Sequence, residues 1–151
     1  MKPHLVIGLG NRLMGDEGVG WHIIDRLAAD PRLPADIELL WGGTDLLAGA
    51  SQIEGRRRIT LVDALLNPSQ TGNVEVFEEG LEGLQDRQGH AHHLSLTQAI
   101  RLLQVASPSF ASARLRLVTI AIDSARQQPD LSPALAAKIP QILARVLEEL
   151  E

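Results

Sequence analysis

Cysteine is absent from this 151-residue chain, and that one absence removes disulfides, thiolate metal sites and cysteine nucleophiles together. Also missing is any run of about 18 apolar residues of the kind that spans a bilayer. The first apolar stretch breaks at Gly8 and meets acids by Asp16. It is too short for a secretory signal and lacks a small-residue cleavage site, so a cytoplasmic location is expected. Basic residues are in the minority: 14 Lys and Arg stand against 19 Asp and Glu, a formal net charge of -5. A broad electrostatic attraction to nucleic acid or to an anionic membrane is therefore not expected. No G-x-S-x-G nucleophile elbow occurs either.

What remains has the composition of an ordinary globular protein, 44% hydrophobic and 22% charged, with a length suited to a single domain over residues 1–151. Apolar and β-branched runs lie at Leu5–Leu9, Ile37–Trp41, Ile59–Val62, Val74–Phe77 and Leu115–Ile122. Helical spacing separates most of them. Val19, Ile23, Ile24 and Leu27 form one apolar face, and Leu46, Leu47, Ala50 and Ile53 a second, with Thr44 as its expected N-cap. Ser95-Leu96-Thr97-Gln98 has the form of a capping box ahead of Ala99, Leu102 and Leu103. Ser132-Pro133 reads as N-cap and first residue of a terminal helix that Pro140 bends or interrupts.

Strands alternating with helices predict an α/β three-layer sandwich with helices on both faces of a twisted, mostly parallel five-stranded sheet. One link breaks the alternation. Asp63 to Val74 is short, carries Pro68 and Gly72, and shows no helical period, whereas a parallel crossover needs a dozen or more residues. The fourth strand is thus expected to be the antiparallel one, at or near an edge.

Sites on open α/β sheets gather beyond the carboxyl ends of the parallel strands. There the sequence puts "GLGNRLMGDEGVG" at 8–20, Trp41-Gly42-Gly43-Thr44 and Asp63. The first turn has the spacing G-x-G-x-x-x-x-G, and its acids fall where a pyrophosphate would lie, which disfavours a dinucleotide. Asp16 and Glu17 read equally well as acids at a helix N-terminus or as functional groups. Asp63, finishing an apolar strand, needs a partner. Three of the five histidines stand at His90, His92 and His93. Carboxylates with imidazole and no thiolate are a ligand set for zinc, iron, nickel or manganese.

Taken together, "GLGNRLMGDEGVG", "GGT" at 42–44, "VDAL" at 62–65, "HHLSL" at 92–96 and "LSP" at 131–133 resemble the hydrogenase maturation endopeptidases over nearly the whole chain. These enzymes cut a C-terminal tail from the large-subunit precursor of nickel–iron hydrogenases. The resemblance implies a metal-binding set of Glu17, Asp63 and His92, with His93 outside it. It also implies nickel as the bound cation, supplied by the precursor itself, and substrate contacts around Asp16, Trp41, Gly42, Gly43 and Thr44. Family members often carry an acid before "GGT", where this chain has Trp41. Two other readings stand beside this one. A non-catalytic nickel-binding accessory protein would use the same three ligands. A peptidyl-tRNA hydrolase shares the opening "GLGN", but is expected to follow it with proline, where Arg12 stands here, and the acidic charge suits tRNA poorly.

Overall fold

The computed structural model describes residues 1–78, 91–123 and 130–151, without the side chains of 91–95. Five strands are present: β1 (His4–Leu9), β2 (Ile37–Gly43), β3 (Arg58–Leu66), β4 (Val74–Phe77) and β5 (Arg114–Ile122). They form one sheet in the order β2-β1-β3-β5-β4. The pairs β1–β2, β1–β3 and β3–β5 are parallel and β4–β5 is antiparallel. The helices are α1 (Val19–Ala28), α2 (Ala50–Ile53), α3 (Ala91–Ala106), α4 (Pro108–Ser112), α5 (Pro133–Ala136) and α6 (Ile139–Leu150). No helix among the described residues is long and apolar enough to cross a membrane.

The sheet separates two apolar layers, as alternation along a strand requires. Val6, Val62 and Val118 point to the side of α1 and α6, where Ile23, Ile24, Leu27, Ile142 and Val146 close over them. Leu5, Ile7, Ile59, Leu61 and Leu117 point to the other side, against Leu46, Ile53, Leu96, Ile100, Leu103 and Phe110. Every residue of β1 is buried, which is why that strand reads as an unbroken apolar run rather than an alternating one. At roughly 1.5–3 kcal/mol for each large side chain withdrawn from water, these two layers dominate the stabilisation of the fold.

The short link after β3 behaves as its length demands. A 3-10 turn over Pro68–Gln70 leads straight into β4, and Gly72 N–H donates to the Ala121 carbonyl at 2.8 Å. β4 therefore runs back along β5 as the antiparallel edge strand.

Four local expectations differ from what forms. β3 does not finish at Asp63. It continues to Leu66 because β5 pairs with it through Leu66↔Ile122, whereas β1 stops pairing at Gly8↔Val62. The cap ahead of Leu46 is Asp45 rather than Thr44: its Oδ1 accepts from Leu47 N–H at 3.0 Å. The turn it starts is 3-10 over Leu46–Gly49, and only Ala50–Ile53 is α-helical. The helix expected to start after Ser95 already runs from Ala91. At the C-terminus Ser132 caps α5 as expected, accepting from Leu135 N–H at 3.3 Å. The helix is interrupted at 137–138, so that Pro140 falls in the first turn of α6, where its missing N–H is not needed.

Candidate functional site

β1 ends into the glycine-rich turn, and the turn's shape follows from its residues. Gly10 has φ +106, a region that favours glycine, and its N–H donates to the Gly43 carbonyl at 2.8 Å. A Cβ there would strike the Glu17 carbonyl oxygen and would stand 3.8 Å from Asp63 Oδ1. Gly10 is thus the point at which the turn, the Glu17 backbone and the Asp63 carboxylate approach one another. Asn11 Oδ1 accepts from Leu13 N–H at 2.9 Å, closing a local side-chain turn. The chain then enters the 3-10 turn Gly15–Gly18, which carries Asp16 and Glu17 and leads into α1.

The two adjacent acids part company in this turn. Glu17 is half-buried on the rim. Asp16 turns inward, 4% exposed, and both its oxygens are engaged at 2.7 Å, one by Ser132 N–H and the other by the Ser132 hydroxyl. Asp16, expected among the substrate contacts, thus has both oxygens engaged within the protein.

Asp63 is fully buried at 0% exposure, and its Oδ1 accepts from Ala64 N–H at 2.8 Å. As the first residue of β3 beyond its last pair with β1, it borders a cleft of ≈ 240 Å³. Gly43, Thr44 and Asp45 line one side of that cleft, and Leu96, Ala99 and Leu102 of α3 line the other. The cleft lies on the sheet face opposite α1, where alternation also puts Leu61 and Leu65.

The expected substrate residues at the end of β2 divide accordingly. Gly43 and Thr44 line the cleft, but Trp41 does not. Its indole Nε1 donates to Asp25 Oδ1 of α1 at 2.8 Å, which carries the ring to the other side of the sheet. Gly42 presses on β1, where a Cβ would meet the side chains of Ile7 and Leu9.

Two further residues, Asp45 in the cleft wall and Thr119 beside Asp63 in the sheet, carried no functional expectation. Asp45 was legible as a turn former, since Asp accepts from the N–H two residues on. Thr119 is the β5 partner of Asp63 in register; it is buried, and its hydroxyl donates to the Glu75 carbonyl at 3.4 Å. In an apolar strand a threonine reads as one more β-branched residue, so only the pairing register exposes its place. Behind the turn, His22 of α1 titrates below its ordinary range. Burial is the main cause, with Arg12 and Arg26 adding to it and Asp25 and Asp130 opposing it.

The side chains of His92 and His93 lie outside the described residues, as does all of His90. Around Gly10 the backbone of Glu17 and the carboxylate of Asp63 come close together, and Asp63 and Asp45 border the cleft.

Comparison with known proteins points one way. The hydrogenase maturation protease family matches residues 21–149. The chain is similar to the hydrogenase 2 maturation protease of Escherichia coli (strain K12), at 27% identity over 148 residues, 97% of this chain and 89% of that one. Among solved structures it is similar to the hydrogenase maturating endopeptidase HybD from E. coli, with a TM-score of 0.80 and 27% identity over 97% of this chain and 91% of that one. The [NiFe] hydrogenase maturation protease HybD from Thermococcus kodakarensis shares the fold at a TM-score of 0.80 and 24% identity, covering 98% of this chain and 99% of that one.

Proposed function

The chain belongs to the hydrogenase maturation protease family, and from that premise we propose that it removes the C-terminal extension of a nickel–iron hydrogenase large-subunit precursor once nickel is in place. The observation that carries this reading is the fully buried Asp63 at the edge of the cleft, set beside the turn that bears Glu17. A carboxylate held at the edge of a cleft, with Oδ1 accepting from Ala64 N–H, is an oxygen ligand of the kind a divalent cation arriving with the substrate can use. The donor set suits nickel: two carboxylates and an imidazole, with no thiolate anywhere in the chain. His92 is the proposed third ligand. It precedes Leu96 by four residues, about one helical turn, and Leu96 lines the cleft.

In this reading the protein's own groups grip the precursor's nickel and hold the tail in the cleft along Gly43 and Thr44. Nickel so held offers Lewis acidity toward a carbonyl or a water and marks the precursor as ready. The glycines of the first turn let it fold back on its own backbone and on α1, and the carboxylate serves the cation. The test is cleavage followed on a gel with two precursors, nickel-loaded and nickel-free. Shortening of the loaded form alone is the expected result. Comparable cleavage of both would remove nickel from the mechanism, and cleavage of neither would favour a non-catalytic accessory role.

A further inference from the structure

Asp16 and Glu17 are consecutive in a 3-10 turn, where three residues complete a turn and neighbouring side chains diverge by about 120°. One of the two must therefore face the body of the protein when the other faces the rim. The local bonds, Met14 N–H to the Asn11 carbonyl at 3.0 Å and Glu17 N–H to the Met14 carbonyl at 3.2 Å, hold the backbone of the turn, and Met14 adds no side-chain cap. The fixing contact is remote. Asp16 Oδ1 accepts from Ser132 N–H and Oδ2 from the Ser132 hydroxyl, both at 2.7 Å, across 116 residues of sequence. The same hydroxyl accepts from Leu135 N–H at 3.3 Å. Its proton is thereby committed to Asp16 and one of its lone pairs to the helix, which restrains the serine's orientation. A second anchor lies behind it: Leu135 is fully buried in the core beneath α1 and α6.

We infer that Asp16 and Ser132 form a positioning pair that sets the aim of Glu17 by tying its turn to the start of the C-terminal helical unit. This rests on the proposed role of Glu17 toward the precursor's nickel. An acid almost withdrawn from solvent is costly unless fully hydrogen-bonded. If stability alone were at stake, an apolar residue packed against Leu135 would serve as well. A carboxylate with two short bonds adds direction, because it fixes both the rotation and the distance of the turn. The carboxylate of Glu17, one residue on, inherits that geometry.

The test uses the full chain and three variants: Ser132→Ala, which keeps the N–H bond and loses the hydroxyl bond; Ser132→Thr, which keeps both; and Asp16→Asn. Amide hydrogen exchange is read at Gly15–Gly18 and, as a control, along β1, β3 and β5. Exchange at Gly15–Gly18 should quicken about 10-fold or more in Ser132→Ala and Asp16→Asn, stay near the parent rate in Ser132→Thr, and leave the strands unchanged. Unchanged exchange in the turn, or an equal rise throughout the sheet, would overturn the pairing as a positioning device. The second readout is titration with nickel ion alone. Affinity should fall about 10-fold in the same two variants, the scale on which partners behind a metal ligand act, and recover in Ser132→Thr. Faster exchange with unchanged affinity overturns the claim that the pair aims Glu17. A nickel isotherm indifferent to Glu17→Ala overturns the ligand role of Glu17 instead, and the exchange rates still decide whether the pair holds the turn.

Discussion

His4 sits in β1 at 1% exposure and shares a 2.9 Å hydrogen bond between Nε2 and the Thr60 hydroxyl. Burial, with the Arg58 charge adding to it, lowers its pKa from 6.5 to about 4. The folded protein thus keeps it neutral at a pH where the unfolded chain has already bound a proton. Stability from this source is complete above about pH 6.5, declines as pH falls from there toward about 4, and amounts to roughly 3 kcal/mol in all. Urea midpoints at pH 7.5 and pH 5 should differ accordingly in the parent and much less in His4→Gln. Residues of the candidate site should behave differently. Asp63→Asn preserves shape in a buried position, so it should keep the thermal midpoint within a few degrees while cleavage falls at least about 100-fold, a loss on the scale of a few kcal/mol of transition-state stabilisation. His92→Ala should likewise abolish cleavage and His93→Ala should not; the reverse result would move the histidine ligand by one residue. Asp63 stood out in sequence because an acid after an apolar run is chemically out of place, and the structure buries it within β3. The inward turn of Asp16 was not, since its partner lies 116 residues away and its local setting fits an ordinary acid at a helix start equally well.

Among the elements, α1 is the one most tightly bound to the site, because it lies on the sheet with backbone almost touching backbone. A Cβ at Gly20 would collide with the Leu9 carbonyl oxygen and would come within 2.6 Å of the Val62 carbonyl oxygen. Neither backbone atom can step aside as a flexible side chain could. Gly20→Ala should lift α1 from β1 and β3 and cost about 1–3 kcal/mol, the usual range for overpacking a close-fitted core. A lower denaturant midpoint at an unchanged slope is the signature to expect. The same displacement moves the Glu17 turn, so cleavage should fall further than stability alone accounts for. All five strands were legible from apolar runs, and so was the antiparallel edge, because the length of the link after β3 leaves β4 no room for a crossover. Ends and caps were read less well. Asp45 took the cap expected of Thr44 because its carboxylate reaches Leu47 N–H. β3 outran Asp63 because its far end is set by pairing with β5, a long-range fact that no local window contains.

At the scale of the whole molecule, the parallel strands deliver Glu17, Gly43, Thr44 and Asp63 to one rim from three separate segments of chain. That origin bears on where nickel resides. A resident catalytic zinc site commonly has three protein ligands, often histidines, each held by a further hydrogen-bonded partner. Here the proposed set is two carboxylates and one imidazole beyond the carboxyl ends of the parallel strands, and Asp63 already spends one oxygen on Ala64 N–H. Such a set should bind free nickel weakly and complete its coordination only when the precursor brings nickel with its own ligands attached. Under the proposed function, metal and substrate then arrive as one, and a precursor lacking nickel lacks the group that the proposed ligands would grip. The purified protein should therefore contain well under one equivalent of metal by elemental analysis. Treatment with a chelator, followed by its removal, should leave cleavage of nickel-loaded precursor intact. A tightly held stoichiometric metal whose removal destroys activity would point instead to a conventional metalloprotease with a resident ion.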